Sequence, residues 1–354
     1  MANDDYKTDK VIMTEFPKVE LHRHLEGTFA LPTLHRISQQ NGLDYSEDFE
    51  EFKKAVQFPR DSEPDFLTFL SKFKNDWYRS HQDVYDVVHD SVQRFVDEGL
   101  FYIELRFSPE HFAFFNNFDR LEITRLVIDA ANTAAAETDV RIKYLITFNR
   151  GKQNQHDMID LYRTIRDLKI SEIVGVDLAG DETQFPPQDF IEFFKTIKDD
   201  GIYRATIHAG EVSPPHQIWD SLELLHAARI GHGTSSIDDP KLQDLLRERN
   251  IVLEQCITSN YQTGSWVDEQ NHPLGRLYRS GVPVTINSDD PTIQDTDLTD
   301  DYIKACSYFD LNIDDLIALN LTAIEGAFLS KPEIASLRTD YLAAVAAFRK
   351  KHAL

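Results

Sequence analysis

Lys18-Val-Glu-Leu-His22-Arg-His24-Leu-Glu-Gly27 opens on a short strand-forming run that leads into two histidines two positions apart. Side chains alternate between the faces of a β-strand, so His22 and His24 project to one side and Arg23 to the other. The same signature, an apolar run ending in polar residues, recurs along the chain. Beyond Lys18–His22 the runs are Phe101–Phe107, Arg141–Phe148, Ile173–Ala179, Tyr203–His208, Ala228–Gly231, Ile251–Cys256 and Pro283–Asn287. Ala228-Arg-Ile-Gly231 has the weakest strand propensity and is included for its place in the series. Stretches with apolar residues at helical spacing, such as Leu121–Ala136 and Ile218–Ala228, lie between them. Strands alternating with helices predict parallel strands joined by crossovers. Eight such units predict an α/β fold, a single (β/α)8 TIM barrel.

The chain has 354 residues, more than the roughly 250 such a barrel typically needs. The excess falls in residues 25–100, after the first strand, and in a helical, Ala-rich stretch after Asp314. Within the first insertion, Pro64–Phe73 places Phe66, Leu70 and Phe73 at i, i+4 and i+7. An insertion at that point lies on the face where barrels hold their active sites, so residues 25–100 are expected to carry a helical lid. Packing on the barrel flank is the plainer alternative. Phe66 and Leu67 are expected to touch the substrate, and residues 1–354 to form one domain.

Acidic side chains number 60 against 37 basic ones, a net charge of −23. That balance argues against nucleic acid, whose recognition needs a Lys/Arg surface, and against anionic membranes. It favours an uncharged small-molecule substrate. Two cysteines, Cys256 and Cys306, cannot build a disulfide framework. Met1–Lys10 is polar, without the apolar core of a signal peptide, and no run approaches the roughly 18 apolar residues of a membrane span. A cytoplasmic setting is expected; monomer and homo-oligomer are both open.

Polar residues at the C-terminal ends of barrel strands face the active site. Here those ends read His22-Arg-His24, His208-Ala-Gly-Glu211, Gly231-His232-Gly233 and Ser288-Asp289-Asp290-Pro291. A lone histidine at any of them would more often be structural, but the set is hard to explain that way. His22, His24, His208 and Asp289 offer three nitrogens and one carboxylate oxygen, a donor set that suits Zn²⁺ and leaves room for water. Glu211, His232 and Asp290 remain as acid, base and hydrogen-bonding carboxylate. Such a set can direct an activated water at an electrophilic carbon. The plainer readings assign Asp181 and Glu182 to capping the helix after the fourth strand and Arg23 to an ion pair. Thr258-Ser-Asn260 reads either as turn residues or as part of the pocket. Histidines 35, 81, 89, 111, 156, 216, 226 and 272 read as surface or packing residues.

Together, His22-Arg-His-Leu-Glu-Gly27, Asp177-Leu-Ala-Gly-Asp-Glu182, His208-Ala-Gly-Glu211, Arg229-Ile-Gly-His-Gly233, Thr258-Ser-Asn-Tyr-Gln-Thr-Gly264 and Ser288-Asp-Asp-Pro291 resemble the adenosine/adenine deaminase family. Glu104-Leu-Arg-Phe-Ser-Pro109 is similar to the family's second strand. The resemblance implies one zinc per chain, held by His22, His24, His208 and Asp289. It implies a protonated Glu211 that serves purine N1. It implies that His232, assisted by Asp289, takes a proton from the attacking water or orients it toward C6. Asp290 would bond the N7 side of the ring and the Gly180 backbone N–H the N3 side. Ammonia would leave from C6, making the reaction a hydrolytic deamination of a 6-aminopurine.

Family members acting on adenosine usually carry Asp where this chain has Glu26, in reach of the ribose. Glu is common among adenine deaminases. Glu104–Pro109 and Pro64-Asp-Phe-Leu67 look more like the adenosine-acting branch, so adenosine and deoxyadenosine are the expected substrates. The alternatives are adenine and a modified nucleoside such as aminodeoxyfutalosine. A binuclear amidohydrolase would commonly carry a carboxylated lysine after the fourth strand, where Asp177-Leu-Ala-Gly180 has none. A catalytically silent purine-binding barrel would have no reason to keep the whole set. The cytidine-type zinc signature with its Pro-Cys-x-x-Cys pair is absent from the sequence.

Overall fold

A computed structural model describes residues 4–58 and 63–354. Eight strands form one sheet in sequential order: β1 (Lys18–His24), β2 (Leu100–Phe107), β3 (Arg141–Arg150), β4 (Ile173–Gly180), β5 (Arg204–Ala209), β6 (Arg229–His232), β7 (Val252–Gln255) and β8 (Val284–Ile286). Every neighbouring pair is parallel. The seam between β8 and β1 is drawn together just past the end of β8. There the Asp289 N–H donates to the His22 carbonyl at 3.0 Å and the Asp289 carbonyl accepts from the His24 N–H at 2.9 Å. The protein is a single (β/α)8 barrel, and the weakly signalled sixth run is a true strand, paired with β5 and β7.

The crossover helices follow from apolar spacing and their caps. Arg120–Ala136 starts where the Asp119 carboxylate accepts from the Leu121 and Glu122 N–H groups. It buries Ile123, Val127, Ile128, Ala131 and Ala134. After β8 come Leu298–Phe309, Ile313–Gly326 and Lys331–His352.

The insertion after β1 holds the helices Leu31–Gln40, Phe49–Val56, Phe66–Leu70 and His81–Gln93; residues 59–62, within the expected lid, lie outside the described residues. Its parts lie in two places. Helix His81–Gln93 packs on the flank against Arg120–Ala136. The middle part is tied to the loops after β7 and β8, where Phe58 N–H donates to the Ile293 carbonyl (2.6 Å) and Asp65 N–H to the Gln262 carbonyl (3.0 Å).

The barrel interior carries a layer of charge. Arg106 binds Glu254 at 2.8 Å and Asp177 at 3.2 Å, while Arg229 binds Glu254 and Glu104, both at 2.6 Å. All five side chains are buried. Buried ions persist only when paired and hydrogen-bonded, and here the pairing also orients the site above. On the outer side of β1, Arg23 binds Glu20 (2.7 Å) and Glu98 (2.6 Å), the ion pair its opposite projection predicts. Among the described residues, no helix is long and apolar enough to cross a membrane.

Candidate active site

The C-terminal ends of β1, β5, β6 and β8 converge on one pocket. His22 Nε2 lies 3.1 Å from Asp289 Oδ1, and His24 Nε2 lies 3.2 Å from His208 Nε2 and 3.5 Å from Asp289 Oδ1. One ligand atom from each of His22, His24, His208 and Asp289 falls within 4.8 Å of all the others. The inner charge layer aims two of the rings: His22 Nδ1 faces Glu254 at 2.9 Å and His208 Nδ1 faces Asp177 at 2.9 Å. Each ring then gives its Nδ1 proton to a carboxylate and turns the lone pair of Nε2 to the centre, an outer-shell arrangement typical of metal-binding histidines. The buried His22 Nε2 has no hydrogen-bond partner. Two imidazole nitrogens in such close contact and an orphaned third fit a cation placed between them, and the mixed N/O donor set fits zinc. Cys256 also comes near His22, His232 and Asp289, but burial pushes its thiol well above the usual range, away from the thiolate.

Two of these groups sit on left-handed backbone, rare outside glycine: His232 at φ 57° and Asp289 at φ 66°. Strain of this kind persists where surrounding contacts over-determine it, often at functional sites. Asp289 is held through both strand-like hydrogen bonds to β1 and accepts from Ser259 Oγ at 2.7 Å. Burial works against its ionisation, but the imidazoles of His22, His232 and His24 outweigh that and hold the carboxyl well below its usual range.

Glu211 follows β5 on a short loop. The Glu182 carboxylate fixes that loop by accepting from the N–H groups of Gly210 (2.9 Å), Val212 (2.6 Å) and Ser213 (3.0 Å). Capping after β4 belongs to Asp181 alone, and it caps a tight turn through Thr183 and Gln184 rather than a helix. Glu211 Oε1 accepts from Thr263 Oγ1 (3.1 Å), and Oε2 lies 3.6 Å from His232 Nε2. Burial, then the nearby Asp289 and Glu182, push its carboxyl well above the usual range. Asp290 is raised as well, first by burial and then by Asp289, and its Oδ1 is buried without a hydrogen-bond partner. Gly27 permits this placement, because a Cβ there would overlap the Asp290 carboxylate.

Glu26 is 7% exposed. One of its oxygens accepts from the Ser108 N–H and the other has no partner. Burial pushes it up to about 7. Gly180, at φ 101°, turns the chain at the end of β4 and lines the pocket. Phe66, Phe69, Leu70 and Phe73 supply an apolar wall. Leu67 does not join them: the helix turns its side chain outward, where it is 61% exposed, a correction to the expected contact. His111 and Lys152 also line the pocket. His111, read from sequence as surface or packing, carries no motif that would have marked it. Asn260, one of the two readings left open for its segment, bonds His232 Nδ1 at 3.1 Å and belongs to the site.

Residues 17–343 match the family model described as adenosine deaminase. An adenosine deaminase from Aliivibrio fischeri is 32% identical over 335 residues, covering 93% of this chain and 98% of the relative. Among solved structures, an adenine deaminase from Arthrobacter aurescens superposes with a TM-score of 0.84 at 23% identity, covering 93% of this chain and 99% of its own. An amidohydrolase from Burkholderia ambifaria with bound Zn superposes with a TM-score of 0.88 at 21% identity, covering 98% and 95%. Family model, close relative and fold agree: the chain belongs to the adenosine deaminase family, and it is a hydrolytic deaminase.

Proposed function

We propose that this protein converts adenosine and deoxyadenosine to inosine and deoxyinosine with release of ammonia, using one zinc ion per chain. The observation that carries this reading is Glu211, a buried carboxyl pushed well above its usual range beside His232 and a convergent set of metal ligands. Zinc, bound by His22, His24, His208 and Asp289, would supply the Lewis acidity that lets water attack at neutral pH. Both groupings of candidate ligands draw on His22 and Asp289, which favours one ion over two.

Glu211 gives its proton to ring N1, so that C6 becomes electrophilic as the C6–O bond forms. His232 and Asp289 face the same space and hold the attacking oxygen. Asp290 bonds the N7 side, and the Gly180 N–H the N3 side. The C6–N6 bond then breaks; of the two water hydrogens, one restores the proton that Glu211 gave to N1 and the other leaves on the ammonia. We read the Phe66–Leu70 segment as a lid over the base, within one barrel domain in the cytoplasm.

A nucleoside suits the pocket better than a free base. Glu26, Ser108, His111, Asn149 and Lys152 line it without belonging to the metal and proton-transfer cluster. Sugar hydroxyls would pair with them, whereas a bare purine would leave them unmatched, a large penalty in a site built for hydrogen bonds. Glu26 in place of Asp, together with the Arthrobacter neighbour, supports adenine as the second reading. Comparing kcat/KM for adenosine, deoxyadenosine, adenine, AMP and a bulky 5′-substituted nucleoside separates them. Adenosine and deoxyadenosine are expected to lead, and a lead by adenine would replace the first reading with the second.

A further inference from the structure

His272 lies in the loop between β7 and β8, outside every motif, and is 1% exposed. Its Nδ1 accepts from the Leu274 backbone N–H at 3.2 Å. Burial, with Arg276 and Lys304 nearby, pulls the ring down to about 3, so it stays neutral and keeps its single proton on Nε2. That Nε2–H points at Asn260 Oδ1, 3.0 Å away, and Oδ1 also accepts from Thr234 Oγ1 at 3.2 Å. With two donors on its oxygen, the amide must turn Nδ2 the other way. There it meets His232 Nδ1 at 3.1 Å and Glu211 Oε1 at 3.5 Å. Flipping the amide would set its N–H against the N–H of His272. His232 Nδ1 is therefore an acceptor, and in the neutral ring the proton sits on Nε2. This is the nitrogen that faces Glu211 Oε2 (3.6 Å) and Asp289 Oδ2 (3.8 Å).

We propose that Leu274 N–H, His272 and Asn260 form an orientation chain that fixes His232 as its Nε2–H tautomer, so that His232 meets the attacking oxygen as a hydrogen-bond donor rather than as a proton acceptor. His272 and Asn260 are positioning residues: they touch neither metal ligands nor substrate, and they act through His232. The catalytic consequence rests on the proposed deamination; the tautomer does not.

The test is a tautomer-resolved ¹H–¹⁵N spectrum of the full-length, zinc-loaded, ¹⁵N-histidine-labelled protein at neutral pH, read beside kinetics and zinc content. Wild type is expected to show His232 and His272 both protonated at Nε2. His272→Leu frees the Asn260 amide to turn, and Asn260→Asp presents only acceptors to Nδ1; both are expected to move the His232 proton to Nδ1. In both, kcat falls on the order of 10–100-fold, the usual cost of losing an outer-shell partner, with KM and zinc content little changed. His272→Gln keeps an N–H toward Asn260 and is expected to restore both the spectrum and kcat. A His232 proton on Nδ1 in wild type, or a His232 pattern unchanged in both disrupting variants, overturns the inference. A correct spectrum in a protein that deaminates no aminopurine leaves the orientation chain standing and overturns the functional reading instead.

Discussion

A carboxyl group buried beside two other carboxylates keeps its proton because the ionised form would lose hydration and gain repulsion, and Glu211 is in that position. Glu211→Gln keeps the shape and the hydrogen bonds but has no proton to give N1. It is expected to retain zinc and substrate affinity while kcat falls about 10²–10⁴-fold, measured by steady-state kinetics beside metal analysis. Asp289→Ala is expected to lose zinc and activity together, since that carboxylate is both ligand and closing tie of the barrel seam. The metal and acid–base residues were legible in the sequence because polar groups at the ends of apolar strands have few other reasons to gather there. Glu182, His111 and His272 were not. Glu182 and His272 bond residues distant in the chain and His111 reaches the pocket only through the fold, and spacing along one segment carries no trace of that.

Helix Ile257–Gln262 shows what an element contributes. It carries Ser259 to Asp289 and Asn260 to His232, and it is pinned from behind where Asp301 accepts from the Thr258 N–H (3.2 Å) and Oγ1 (2.5 Å). Burial pushes Asp301 up to about 7. In the folded protein it holds a proton that the unfolded chain gives up near 3.8. Folding therefore takes up a proton between those values, and stability falls as pH rises through that window. Asp301→Asn cannot ionise and is expected to flatten that part of the profile, on the order of a few kcal/mol across it, by denaturant melts from pH 4 to 8. An unchanged slope would show that Asp301 ionises normally. The strands themselves were readable as alternating apolar runs, including the short β6. The charged layer of Arg106, Arg229, Glu104, Asp177 and Glu254 was not, because a buried ion and a surface ion look alike until the fold pairs them.

Across the whole molecule, the net charge of −23 fits the uncharged nucleoside proposed as substrate. Asp289, alone among the carboxylates at the pocket, also faces a candidate cation site. Stripping metal leaves three imidazoles and a carboxylate crowded at the closing seam of the barrel. Chelation is expected to lower Tm as well as abolish turnover, with zinc restoring both, because a ligand that binds only the folded state stabilises it. An equal Tm with and without zinc would separate the metal from the seam. Much of the length that exceeds a minimal barrel lies in residues 25–100, where helix His81–Gln93 packs on the flank and Phe66, Phe69, Leu70 and Phe73 line the pocket; the apolar spacing in the sequence does not divide the insertion between those two places.

The most direct measurement is turnover of adenosine by protein carrying one zinc per chain, followed by the ultraviolet change to inosine with ammonia assayed in parallel. The expected result is inosine and ammonia in equal amounts, with loss of both in Glu211→Gln. No turnover of adenosine, deoxyadenosine, adenine or a modified 6-aminopurine nucleoside by the zinc-loaded protein would contradict it.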